Sequence, residues 1–310
     1  MSPNRRLHIL FFLILLAFEQ NAIAQTDSTY IGTFSQEYSG RVFIARKYTS
    51  LSHETDNDKT DEYMPNNPFD IGIGFSWGGS SFSFSHGFNF LADPEKGKTR
   101  SLDLQYHYYG KKIVLDFFGQ DYKGFYLEDT NKENIIGMYP DMQLTKVGLF
   151  GQYVFNGNKF SYRSVFDQTE RQLKSAGSLL LGGGIYYTRV RAETSLAFYK
   201  DLYQVGPSIG YAYTWVINRH FFLTGSVTPG LTVGFKNIND TLIWNPSVFF
   251  RSAFGYNADS WSLNTSFLLN KLYVSYKDDN HISLNSGNFQ FTFIKRFDSN
   301  SQILKKIPRF

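Results

Sequence analysis

His281-Ile282-Ser283 is the stretch of this 310-residue chain whose residue types and spacing could carry a reaction. On a strand, positions i and i+2 share a face. The imidazole could then take the proton of the Ser283 hydroxyl and make it a nucleophile. Asp278 and Asp279 are the carboxylates at hand to orient the imidazole. The same residues, with Asn285 and Gly287 beyond them, also read as an ordinary polar loop between two strands. Asp103, Gln105 and His107 form a second set, spaced i, i+2, i+4. On the inward face of a strand they could meet a polar solute or join a metal site. They equally suit a wall whose polar side chains bond one another.

Weaker signals point elsewhere. Asp56, Asp58 and Asp61 make an oxygen-rich loop of the kind that can hold calcium, but the spacing departs from the EF-hand pattern. A solvated acidic loop is the plainer reading. His53, His86 and His220 are far apart in sequence, which supports no metal site. Gly182 to Ile185, GGGI, lies in an alternating strand with no helix after it, so it is no phosphate cradle. No metal and no cofactor is expected.

The elements that must position these residues are strands. Ile71 to Phe90, IGIGFSWGGSSFSFSHGFNF, puts Ile71, Ile73, Phe75 and Trp77 on one face and Gly72, Gly74, Ser76 and Gly78 on the other. Its second arm sets Phe82, Phe84, Phe88 and Phe90 against Ser81, Ser83, Ser85 and Gly87, with Gly78-Gly79-Ser80 as the turn. A solvated sheet face usually carries Lys, Glu and Thr. Gly and Ser suit the crowded inside of a closed barrel whose outside meets lipid.

Similar alternation continues to Phe289, Phe291 and Phe293. Connections near Gly79, Lys111, Arg219 and Asp259 are tight. Those around His53, Glu95, Asn131, Ala197, Asn239 and Asn280 are mostly longer and more charged. Long loops are read over His53 to Asp61, Asp121 to Pro140, Val190 to Gln204 and Lys277 to Ser286. Tight turns on one side and long loops on the other match an outer-membrane barrel. Both termini on the periplasmic side require an even strand number. Reading Asn156 to Gly177 as one periplasmic excursion gives about twelve strands, with fourteen as the alternative. Pro207, Pro229 and Pro246 each remove a ladder donor and are expected near strand ends or bulges.

The bounds agree with this. Arg5 and Arg6, the apolar run Leu7 to Phe18 and Ala22-Ile23-Ala24 read as an export signal. The expected division is a signal peptide over 1–24, a periplasmic lead-in over 25–40, the barrel over 41–297 and a periplasmic tail over 298–310. Aromatic residues reach 18%, suiting β-structure and interfacial girdles. With no Cys there is no disulfide framework and no zinc-thiolate site. A formal net charge of +4 is too small to imply nucleic acid. The basic tail residues Lys305, Lys306 and Arg309 read as a solvated terminus.

The segments YIGTF, ARKYTSL, EYMPNNPFDIGIGFSW, KGFYLED, QTERQLKSAGS and GYAYTWVINRHFF resemble a family of uncharacterised outer-membrane β-barrels found in Bacteroidota. The resemblance runs from about Tyr30 to Phe297. It implies location in the outer membrane and carries no catalytic residues. It also implies insertion by the outer-membrane assembly machinery, which recognises an aromatic-rich last strand; Phe289, Phe291, Phe293 and Phe297 resemble that signal. The expected partners are outer-membrane lipids, lipopolysaccharide and that machinery, with no nucleic acid. The expected fold is all-β, a single transmembrane antiparallel barrel of about twelve strands. Its expected role is a narrow pore for small polar solutes or a structural or surface-interaction barrel. The alternative is a barrel-embedded lipid hydrolase or deacylase using His281 and Ser283, since some outer-membrane lipid hydrolases use a similar His-x-Ser pair.

Overall fold

A computed structural model describes residues 26–298, apart from 56–58, 68, 78–79, 89–91, 129–133, 193–197, 236–242 and 277–278. The export signal, the basic tail, Asp56, Asp58 and Asp278 lie outside the described residues. Twelve antiparallel strands close into a ring: β2 (Tyr38–Thr55), β4 (Asp70–Trp77), β5 (Ser80–Gly87), β6 (Arg100–Tyr109), β7 (Ile113–Glu128), β8 (Ile135–Val154), β10 (Ala176–Ala192), β11 (Phe198–Val216), β12 (Phe221–Phe235), β13 (Ile243–Asn257), β14 (Trp261–Tyr276) and β15 (Asp279–Phe297). Closure is made by β15 against β2, from Phe297↔Tyr38 up to Ile282↔His53. Two short strands form a separate sheet. β1 (Ile31–Thr33) pairs with β9 (Glu170–Gln172), so the lead-in is strapped to the excursion between β8 and β10.

β3 (Lys59–Met64) steps the wall. It pairs with β2 from Leu51↔Tyr63 upward and with β7 at Tyr63↔Leu127. β4 and β5 have only 8 residues each. At the end away from the tight turns β3 therefore stands in for β4, β5 and β6, and ten strands close the ring there. Asn66 holds the step together: its backbone N–H donates to Thr99 Oγ1 at 2.7 Å, and Thr99 Oγ1 donates to the Gly124 carbonyl at 2.7 Å. Gly124 has φ +93°, and a Cβ there would lie 2.2 Å from the Lys98 carbonyl oxygen, so this bulge in β7 requires glycine.

Period-two alternation sorts side chains between the two faces of the wall. Ile73, Leu181, Ile209 and Trp244 point outward and are half or more exposed. Rings stack outward at the end bearing the tight turns, as with Tyr38 against Trp77 (6.5 Å) and Tyr256 against Trp261 (5.3 Å). The inward face is filled. Its upper half holds a cluster including Tyr122, Leu144, Tyr186, Leu272 and Leu284. The Gly and Ser face of β4 and β5 makes room for long neighbours from β2. A Cβ on Gly72 would lie 2.0 Å from the Phe43 ring, and one on Gly74 would lie 2.8 Å from the Arg41 side chain.

Several loop expectations are corrected. His53 to Asp61 is largely a β2–β3 hairpin. β7 runs to Glu128 and β8 starts at Ile135, inside the stretch read as a loop from Asp121 to Pro140. β10 and β11 occupy most of Val190 to Gln204, and β15 begins at Asp279. The cause is common to all. Beyond the apolar belt the outward face turns polar while the ladder continues, as where Asp121 accepts from Gln143 (2.8 Å) and Thr145 (2.6 Å). Pro207 and Pro229 lie inside β11 and β12 rather than at strand ends. Around Pro207 the β11–β12 ladder pairs Val205 with Val233 and Ser208 with Gly230, and Gly206 and Pro207 drop out of it.

Candidate functional site

The inward side chains of β2, β6, β7, β8 and β13 carry charge into the middle of the lumen. Asp103 is 3% exposed; Lys47 Nζ lies 3.2 Å from its Oδ1 and Gln120 Nε2 donates to its Oδ2 at 2.8 Å. Lys47 also donates to Ser85 at 2.8 Å. His107 faces acceptors at both ring nitrogens: Asp116 Oδ1 at 2.6 Å from Nδ1 and Gln105 Oε1 at 3.3 Å from Nε2. Arg251 closes on the other oxygen of Asp116. Thus Asp103, Gln105 and His107 are spent on partners within the wall, and Asp103 and Asp116 each have a cation. Lys146 lies across from them, donating to Ser286 at 3.2 Å with its ammonium 5.4 Å from the Phe118 ring centre. Lys47, Asp103, Gln105, His107, Asp116 and Lys146 line a cavity of about 80 Å³, room for a few waters.

Below this layer the excursion between β8 and β10 turns into the barrel. Phe160 and Tyr162 pack against Tyr109, Val114, Val154 and Leu180. One π-helical turn, Arg163–Asp167, then places Val165 and Asp167 out of contact with solvent. The wall grips the turn by its backbone. Arg41 Nη1 donates to the Phe166 carbonyl (3.2 Å), Asn264 to the Val165 carbonyl (2.9 Å) and Arg296 Nε to the Gln168 carbonyl (2.8 Å). Arg41 Nη2 pairs with Asp167 at 3.1 Å and also donates to Ser76. Charge-assisted bonds of this kind are about twice as strong as neutral ones. Arg296 stacks on Phe34 of the lead-in, 3.5 Å from the ring centre, so the segment before β2 covers the inserted turn from below.

Of the remaining candidates, positions 281 and 283 share one face of β15. Ser283 lies in β15 between Tyr273 and Ser52, is 9% exposed, and has the outward parity of Phe289 and Phe291. Position 281 has strand backbone, but the His281 side chain lies outside the described residues. His86 meets Phe88 edge-on at 5.8 Å, and His220 Nδ1 lies 2.8 Å from the Asn257 carbonyl. The sequence reading missed Arg41, Lys47, Asp116, Lys146 and Arg251. A signal was present: each is a charged residue of inward parity inside an otherwise apolar or small alternating strand, as in RVFIARKY and FFRSAF.

A family model described as "Domain of unknown function (DUF4421)" matches residues 25–297. No curated protein matches the chain. Among solved structures, OmpT, an outer membrane protein of Vibrio cholerae, is 10% identical with a TM-score of 0.30, covering 84% of this chain and 98% of its own. The toluene transporter TodX of P. putida is 8% identical with a TM-score of 0.30, covering 84% and 90%. The outer membrane protease OmpT from Escherichia coli is 9% identical with a TM-score of 0.36, covering 86% and 98%.

Proposed function

The chain belongs to the family described as Domain of unknown function (DUF4421), and for it we propose an outer-membrane barrel that is sealed, conducts no solute and acts through its rims and outer wall. The carrying observation is the filled lumen: an inserted turn held by Arg41, Asn264 and Arg296 below, and the Tyr122–Tyr186–Leu284 cluster above. Membrane residence is supported by the outward apolar face. A ring without free edges is the β-structure that satisfies its backbone in hydrocarbon, and outward Leu, Ile and Phe side chains gain nothing in water. Location in the outer membrane and a role as a structural or surface-interaction barrel follow from that reading.

Against the narrow-pore alternative stand the inserted turn and the buried cluster above it. The hydrolase alternative keeps Ser283 on the outward face of β15, with the His281 side chain outside the described residues. Planar-bilayer recording of the purified protein tests the sealed reading. No current steps above leak are expected across about ±100 mV. Reproducible steps in the wild-type chain would overturn it.

A further inference from the structure

β4 accompanies β2 up to Ala45, and β3 accompanies it from Leu51 onward. Residues 46–50 cross the interval between them, and on the outside this leaves a cleft of about 380 Å³. Its wall includes Arg46, Tyr48, Asn66, Lys96, Tyr126 and Phe289. Asn66 is spent on framing it, donating to the carbonyls of Asp93 (2.7 Å) and Gly97 (2.6 Å). Tyr48 lies across Gly287, where a Cβ would come within 2.2 Å of its ring. So the cleft is built into the wall step and does not depend on a loose side chain.

Its position relative to the apolar belt says what could fill it. On β2 the outward residues run Val42, Ile44, Arg46 and Tyr48 from the lower end upward, so Arg46 marks where the belt stops. The residue paired with Arg46 is Phe289, which is 51% exposed and opens the cleft downward onto Phe291 and Phe293. The pocket is therefore polar and cationic at its top and continuous with hydrocarbon at its base. Of its two cations, Lys96 is answered by Glu128 at 2.6 Å and sits 4.9 Å over the Tyr126 ring. Arg46 is exposed and makes no ion pair among the described residues. Asp93 also borders the cleft, but its carboxylate caps the Glu95 N–H at 3.0 Å.

We propose that this cleft binds the phosphorylated headgroup of an outer-leaflet glycolipid, with Arg46 on the phosphate and the acyl chains running down over Phe289. A guanidinium is suited to a phosphate because its planar fork donates two parallel bonds. The Tyr48 and Tyr126 rings give flat faces for a sugar. The proposal rests on the outer-membrane reading, because only that membrane supplies such a lipid to this side of the barrel.

The test uses the full mature barrel folded in detergent and titrated with lipid A carrying its phosphates, with bound lipid counted by native mass spectrometry. One lipid per barrel is expected. Arg46→Gln, an exposed change away from the lumen, is expected to weaken binding about tenfold or more. Lipid A stripped of phosphate is expected to bind the wild type no better than phosphorylated lipid binds Arg46→Gln. Lys111→Gln with Lys112→Gln, on the opposite rim, is expected to change nothing. Wild-type affinity in Arg46→Gln, equal binding of the stripped lipid, or equal binding of phosphatidylglycerol would each overturn the assignment. A chain that stays monodisperse without detergent would instead overturn the membrane reading beneath it, so the two failures are told apart.

Discussion

Arg41 in the barrel wall and Asp167 in the inserted turn lie 3.1 Å apart, with side chains 7% and 0% exposed. The pair joins two parts of the chain that are far apart in sequence. It makes the turn a fixture of the lumen rather than a loop resting at the mouth. Removing one partner of a buried pair leaves an uncompensated charge, at a cost of about 3–5 kcal/mol. Asp167→Ala should therefore lower stability by roughly that amount in urea unfolding from lipid vesicles. The double change Arg41→Met, Asp167→Leu should cost clearly less, because no lone charge remains.

Gly72 and Phe43 provide a second check. A methyl at position 72 would overlap the Phe43 ring, 2.0 Å away. Gly72→Ala should destabilise the barrel by roughly 1–3 kcal/mol, the usual cost of overpacking. Adding Phe43→Leu should recover most of the loss. An additive loss in the double variant would mean that the Gly and Ser face serves something other than β2 side chains.

Much of the wall was legible in the sequence, and the reason is visible in this same hairpin. Alternation places Ile71, Ile73 and Phe75 outward wherever the ladder crosses an apolar layer, and with Asn156 to Gly177 set aside as an excursion it yields the twelve strands. Where the outward face turns polar the period loses its contrast. Asp121 looked like a loop residue for that reason, although Gln143 and Thr145 both donate to it across the β7–β8 ladder. The lumen was less legible. That Arg41 would meet Asp167 depends on a turn folding back into the barrel, and no local pattern encodes that return. β3 was hidden because its start falls in His53 to Asp61, HETDNDKTD, which is rich in charge and reads as solvated chain.

The wall step makes its own demand on Gly124. Its φ of +93° and the 2.2 Å approach of the Lys98 carbonyl leave no room for a side chain. Gly124→Ala should cost more than about 1 kcal/mol. It should also free the Asp93–Thr99 connection, seen as faster proteolysis there in intact vesicles. Unchanged cleavage would separate the bulge from the step.

The outward face can be tested away from both ends. Ile209 is 60% exposed, near the middle of β11. Ile209→Arg should destabilise the vesicle-folded barrel by roughly 2–4 kcal/mol, the cost of a cation at the bilayer midplane. A change within about 0.5 kcal/mol, usual for a solvated surface site, would contradict lipid exposure there.

The claim on which the rest depends is that the segment between β8 and β10 sits inside the barrel. The chain has no cysteine, so a single introduced thiol reports without background. Ser164 is 1% exposed within the inserted turn, and Asn158, in the same segment, is exposed. Ser164→Cys and Asn158→Cys should be compared for reaction with a small thiol reagent on the folded protein. The expected result is prompt labelling at 158 and labelling at 164 slower by at least about tenfold until the barrel is unfolded. Equal rates at the two positions would contradict a sealed lumen.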